Sequence, residues 1–291
     1  MYFLSFNWNP DDILFKIGFI QIKYYNLLWI LTFIVGWYLM KQIFKKENKS
    51  MEKLDSLFVY CIVSIILGAR LGHVFFYDWD YYQQHLLEIL LPIRENANSS
   101  LIGFINGYEF TGFAGLASHG ATIAAIIGLF LFSKKYKDMS FLWLLDRVAV
   151  VAAIGTAFVR VGNFFNSEIN GNIVHKSFIF ATRYIRDSDD MPAYKAIRLT
   201  KEKTSSAAYK AIESKPEFVL ILQDIPYRHP AQLYEAFLYA ILFGLLWFTY
   251  WKTNKSEKSG FLFGMFMVCL WSSRFVVEYF KKSQGGFEDT W

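Results

Sequence analysis

Six apolar stretches each extend to about 20 residues, the length that spans a bilayer. They lie near Leu27–Met40, Leu57–Leu67, Ala121–Phe132, Val148–Val159, Ala236–Trp251 and Phe261–Trp271. A helix rises about 1.5 Å per residue, so each stretch reaches across a hydrocarbon core of about 30 Å. We read spans at roughly 24–43, 56–77, 112–133, 141–161, 231–250 and 260–280. The expected fold class is all-α: a polytopic helical membrane protein with an extracytoplasmic insertion between spans four and five. Residues 1–172 then hold spans one to four with the N-terminus outside, 173–228 the soluble insertion, and 229–291 spans five and six. Length alone would suggest one or two soluble domains, but 54% of the residues are hydrophobic and 20% aromatic. No small-residue cleavage site follows the first stretch, so no removable signal peptide is expected.

The net charge of +5 could point to nucleic acid, but the positions of the lysines exclude that class. Lys41, Lys45, Lys46, Lys49 and Lys53 follow span one, Lys134, Lys135 and Lys137 follow span three, and Lys252, Lys255 and Lys258 follow span five. The loop 78–111 carries only Arg94. The Lys-rich loops are therefore expected in the cytoplasm and the N-terminus outside. Cys61 and Cys269 fall inside spans and read as small packing residues, with no disulfide or metal site implied.

The insertion contains the charged run RDSDDMPAYKAIRLTKEK and a strand-like FVLILQ at Phe218–Gln223, bounded by Pro216 and Pro226. The pentapeptide AYKAI occurs at Ala193–Ile197 and again at Ala208–Ile212, too short to define a structural repeat.

Ionisable groups inside spans cost a few kcal/mol each at the centre, so they need a reason. Arg70 lies about 21 Å from the inner end of span two, and Arg274 a similar distance into span six. Arg160 is about 28 Å into span four, His119 about 10 Å below the outer end of span three. Gln232 and Glu235 open span five on that side. Six polar positions from five spans thus share the outer half of the membrane. Singly, each has a plainer account. Arg160 can snorkel to the headgroups, Arg274 and Glu278 are spaced as an i,i+4 ion pair, and His119 can be a satisfied interior histidine. Asp146 and Arg147 lie near the inner end of span four and read as structural. Gly68-Ala-Arg-Leu-Gly72 is a GxxxG pattern, which lets two helices approach closely around Arg70.

The ordered blocks GARLGHVFFY (Gly68–Tyr77), SHG (Ser118–Gly120), RVGNFFNSEING (Arg160–Gly171), RHPAQLYEA (Arg228–Ala236) and RFVVEYF (Arg274–Phe280) resemble the prolipoprotein diacylglyceryl transferase family. The resemblance implies a multi-pass enzyme of the bacterial cytoplasmic membrane with its active site facing outward. It would move the diacylglyceryl group of phosphatidylglycerol to the thiol of a lipobox cysteine in a prolipoprotein signal peptide, releasing glycerol 1-phosphate. Membrane lipids and the signal peptide are the implied partners; no metal, cofactor or nucleic acid is implied. Carried over residue by residue, Arg160 binds the headgroup, with Asn163 and Gly171 beside it in the signature. His119 and Arg274 complete the catalytic set. Arg70, Asn166, Glu168, Gln232, Glu235 and Glu278 support it. Three positions depart from the family pattern: Ala121 for the second glycine after His119, Tyr25-Asn26 for a tyrosine-glycine pair, and His73 where tyrosine is common. The family has seven spans; six are expected here, with the seventh missing beyond the RFVVEYF block.

The chemistry suits these residues. Negative charge grows on the phosphate as its C–O bond breaks, and arginine offers a permanently charged, bidentate fork. Donors aimed at developing charge in a water-poor site give large electrostatic stabilisation. A free thiol with a pKa of about 8.5 needs a base or a cation to become thiolate, and His119 is the candidate base, the two arginines alone being the alternative. A transporter or flippase for an anionic lipid could use the same arginines, but the chain has no internal symmetry and its polar cluster lies off the midplane. A membrane hydrolase would want a GxSxG elbow, which is absent from the sequence.

Overall fold

The structure, a computed structural model, describes residues 5–11, 13–17, 20–101, 105–110 and 115–282. Its helices are α1 (Tyr24–Lys46), α2 (Met51–Tyr77), α3 (Trp79–Tyr82), α4 (Leu87–Leu90), α5 (Ser118–Lys135) and α6 (Phe141–Phe165), followed by α7 (Ala193–Thr200), α8 (Ser205–Ser214), α9 (Val219–Asp224), α10 (Ala231–Lys252) and α11 (Phe261–Glu278). Five of them, α1, α2, α6, α10 and α11, are long and apolar enough to cross a membrane. The third predicted span is shorter than expected. It starts at Ser118, and Ser118-His119 at one end with Lys134-Lys135 at the other dilute its apolar run. The predicted residues 112–114 of that span lie outside the described residues.

The fold is helix-dominated, with three two-stranded sheets that hydropathy did not reveal. Strands β2 (Ile13–Ile17) and β3 (Ile20–Lys23) pair antiparallel, as do β4 (Ile93–Leu101) and β5 (Ile105–Phe110). Strand β1 (Phe6–Trp8) runs parallel to β6 (Thr182–Tyr184), joining residues far apart in sequence. The chain divides into two compact units, residues 1–40 with 146–291, and residues 41–145.

In the first unit α6 lies close against α1. A side chain at Gly155 would come 2.7 Å from Thr32, and one at Gly162 2.7 Å from the Tyr25 ring. Asp146, fully buried, accepts hydrogen bonds from the Gly260 N–H (2.7 Å) and the Phe263 N–H (2.8 Å), which caps the start of α11. Arg147 donates to the Ser256 carbonyl at 3.2 Å. Both residues are structural, as their depth suggested. The N-terminal tail is tied to the insertion: Lys210, Ser206 and Arg186 hold the Asp11 carboxyl well below the usual carboxylate range.

The insertion has its own small core of Ile185, Met191, Ala196, Ala208, Tyr209, Ile212 and Ile225. Both AYKAI copies are helical, one opening α7 and one inside α8. They are used differently: Tyr194 is 73% exposed, while Tyr209 is 6% exposed and donates to the Met191 carbonyl. FVLILQ is not a strand. It forms a 3-10 turn ending at Phe218 and then α9, with Ile221 and Leu222 packed on the core and Val219 and Leu220 left exposed. A six-residue apolar run cannot distinguish helix from strand by periodicity, and the tertiary core decides.

In the second unit α2 packs on α5 through the GxxxG pattern. Side chains on Gly68 and Gly120 would collide with the facing backbone, and one at Gly72 would come 2.8 Å from the Gly120 Cα. The close approach read from the spacing is therefore present.

Candidate active site

Helix α6 delivers Arg160 to the end of an apolar helix and then unwinds. The chain turns through left-handed Ser167 (φ 55°) and Ile169 (φ 60°), a conformation that costs a β-branched residue about 1–2 kcal/mol. Hydrogen bonds over-determine the turn. The Glu168 N–H donates to the Asn163 carbonyl at 3.1 Å and the Asn166 N–H to the Gly162 carbonyl at 3.0 Å. Gln232, fully buried on α10, donates to the Glu168 carbonyl at 2.7 Å and to Asn170 Oδ1 at 2.6 Å. Tyr184 donates its hydroxyl to Gln232 Oε1 at 3.1 Å, and Asn170 donates to Asp187 Oδ2 at 2.6 Å.

Arg160 does not snorkel. Its Nε lies 2.8 Å from Glu235 Oε2, and Glu235 is 1% exposed. Its Nη1 donates to Asn163 Oδ1 at 3.4 Å, while Asn163 Nδ2 donates to Glu168 Oε1 at 2.6 Å. An ion pair at Nε and a hydrogen bond at Nη1 thus engage the guanidinium, and Nη2 makes no hydrogen bond among the described residues. Asn166 contributes a longer bond to the same Glu168 oxygen, 3.4 Å. Tyr239 donates to Glu235 Oε1 at 3.3 Å.

The i,i+4 ion pair between Arg274 and Glu278 is not formed. Glu278 pairs instead with Lys281 at 3.3 Å, and the Arg274 guanidinium lies over the Trp271 ring at 5.6 Å. The short turn after α11 brings Lys281 back within reach of Glu278, which spacing on one helix could not indicate.

Gly171 sits in a junction of three chain segments. Its N–H donates to the His229 carbonyl at 3.0 Å, and Asn172 N–H donates to the Phe280 carbonyl at 2.8 Å. A side chain at Gly171 would come 2.5 Å from His229 Cβ and 2.5 Å from the Phe280 carbonyl oxygen. Arg228, 4% exposed, locks the junction with a bidentate grip on Asp190 (2.8 and 2.9 Å) and a bond to the Gly171 carbonyl at 3.3 Å. Burial lowers the His229 pKa from its ordinary value. Stability from this neutral imidazole is complete above about pH 6.5 and is lost as the pH falls through its lower folded value. Gly171→Ala is expected to cost about 1–3 kcal/mol, because two of the walls are backbone and cannot rotate away. Thermal melting in detergent checks this; a melt indistinguishable from that of the parent chain would mean the junction yields freely.

In the second unit Arg70 is 5% exposed, donates to the Ile89 carbonyl at 2.9 Å and to the Glu88 carbonyl, and covers the Tyr82 ring at 4.7 Å. It secures the turn after α4. His119, second residue of α5, is exposed and makes no side-chain hydrogen bond among the described residues. It is not a satisfied interior histidine.

Asn170, Tyr184, Asp187 and Arg228 belong to this polar architecture, and the sequence assigned a role to none of them. Arg228 lay inside a quoted block but carried no assigned role. Asp187 and Asp190 lay in the charged run of the insertion, again with no assigned role.

Fold and site together define a multi-pass helical membrane protein in which a half-buried arginine pairs with a buried glutamate where its fourth long helix gives way to irregular backbone. The prolipoprotein diacylglyceryl transferase family model matches residues 12–288, and the chain belongs to that family. A phosphatidylglycerol–prolipoprotein diacylglyceryl transferase of Bacteroides fragilis is 34% identical over 287 residues, covering 99% of this chain and 87% of its own length. Its counterpart in Tolumonas auensis is 33% identical over 281 residues (97% and 86%), and that of Chloroherpeton thalassium 31% over 282 (96% and 83%).

Proposed function

We propose that this chain is a transferase that moves the diacylglyceryl group of phosphatidylglycerol to the lipobox cysteine of prolipoproteins, the first step of lipoprotein maturation. The observation that carries it is Arg160, held by Glu235 and Asn163 with Nη2 left over. A guanidinium fixed at Nε and Nη1 keeps a donor for a phosphate oxygen. In the transfer the cysteine sulfur forms a bond to the glycerol carbon bearing the phosphate. The C–O bond breaks, and its electron pair leaves on glycerol 1-phosphate. Arg160 and Arg274 neutralise the growing charge. Asn163 and Gly171 complete headgroup binding, and His119 takes the thiol proton. Glu235, Glu168, Gln232, Asn166, Glu278 and Arg70 support these groups. No step needs a metal or cofactor.

Six crossings, with α5 as the third, fit the pairings within each unit. Lys49 and Lys53 both meet Asp138, at 3.3 and 2.8 Å, so residues 49–53 and 138 share one side. Helices α2 and α5 lie between them in sequence, and an even number of crossings is needed. The β1–β6 pairing likewise asks for an even number among α1, α2, α5 and α6. With Lys-rich loops inside, the N-terminus and residues 173–228 lie outside a bacterial cytoplasmic membrane.

The test is product analysis with glycerol-labelled phosphatidylglycerol and a lipobox peptide. Label on the peptide together with glycerol 1-phosphate is expected. Phosphatidic acid, free fatty acid, or movement of intact lipid between leaflets without peptide labelling would overturn the proposal.

A further inference from the structure

We propose that His85, Glu88 and Glu95 form a binding site for one divalent cation of the zinc class. One ligand atom from each, an imidazole nitrogen and two carboxylate oxygens, lie within 4.8 Å of one another. The three residues belong to one segment of the second unit, between α2 and α5. The site does not depend on the diacylglyceryl transfer reading, and the ion would take no part in that reaction.

The orientation of His85 is the key observation. Its Nδ1 lies 3.0 Å from the Tyr81 carbonyl oxygen, which can only accept, so Nδ1 carries a hydrogen. In its neutral form the ring turns the lone pair of Nε2 toward Glu95 Oε2, 3.2 Å away. Two acceptors at that distance repel unless a proton or a cation lies between them. A proton would give an ion pair with side chains 24% and 57% exposed, which is worth little, whereas a cation would also engage the buried Glu88. Metal–ligand bonds of about 2.0–2.2 Å make a tetrahedral edge of about 3.3–3.6 Å, close to the observed separation.

Each ligand is also held from behind, as metal ligands usually are. The His85 ring stacks on Tyr81 with centroids 4.2 Å apart. Glu88, 3% exposed, accepts from the Tyr81 hydroxyl at 2.8 Å through Oε2 and from the Glu95 N–H at 2.7 Å through Oε1. Each of its oxygens keeps a further lone pair. One imidazole and two carboxylates suit zinc, cobalt or manganese better than calcium or magnesium. Arg94 over the Tyr81 ring (5.7 Å) and Arg70 at the Glu88 carbonyl oppose the cation and moderate its affinity. A bound ion would staple the start of β4 to the helical turns of α3 and α4.

The test uses the full chain in detergent, stripped with chelator and titrated with zinc chloride by calorimetry and with cobalt(II) by visible absorption. One equivalent is expected, with the intense visible bands of a low-coordinate cobalt site. His85→Phe keeps the stacking, and Glu95→Gln alters an exposed side chain; each should weaken zinc binding about tenfold or more. Unchanged chelator-state melts would show both variants folded. His175→Phe, at another exposed histidine, should bind like the parent chain. Substoichiometric binding, parent-like affinity in both cluster variants, or loss in His175→Phe would overturn the site.

Discussion

Replacing His119 by glutamine is expected to slow diacylglyceryl transfer about a hundredfold or more, the usual scale for losing a general base. Lipid binding should stay nearly intact, because the lost interaction exists mainly in the transition state. The side chain is exposed and has no hydrogen-bond partner among the described residues, so the substitution breaks nothing that holds the fold. A melting temperature equal to that of the parent chain is therefore part of the forecast. Raising the pH from about 6.5 to 9 should recover part of the lost rate, as more substrate thiol ionises unaided around its pKa of about 8.5. Normal turnover at pH 7 would remove His119 from the chemistry and leave thiol activation to the two arginines.

Arg160→Lys is the second large effect. Turnover should fall well over tenfold, about 1.4 kcal/mol or more in transition-state stabilisation. An ammonium can still pair with Glu235, which lies 2.8 Å from the present Nε, so charge neutrality of the buried carboxylate is preserved. What disappears is the planar fork that reaches Glu235 through Nε and Asn163 through Nη1 and keeps Nη2 for a ligand. Glu235→Gln separates positioning from charge. The amide oxygen can still accept from Arg160 but carries no charge, so the arginine would be held by neutral contacts only, the 3.4 Å bond to Asn163 among them, and KM for phosphatidylglycerol should rise along with the fall in turnover. Near-normal kinetics in both variants would mean that Arg160 serves only the packing of α6 against α10.

The class of fold was legible in the sequence because a bilayer leaves few options. Apolar length, lysine asymmetry and the depth of polar residues follow from solvation alone, and they identified the long helices and the structural role of Asp146. The GxxxG spacing around Arg70 also carried through, since close approach of backbones depends only on what glycine lacks. The block from Arg160 to Gly171 stood out as a candidate site, because so many amides at the end of an apolar helix need partners.

Tertiary structure alone decided the partners. Glu235 meets Arg160 because α10 returns beside α6 after a long insertion, a register no local pattern encodes. Gly171 is walled by backbone from residues 229 and 280, and FVLILQ became a helix on a core that only the folded insertion supplies. His85, Glu88 and Glu95 look like scattered charges of a loop until the turn at Tyr81 gathers them. Hydropathy acts on each residue through its own solvation, so it can be read along a chain. Pairing energies depend on distances between remote segments, and those exist only after the chain has folded.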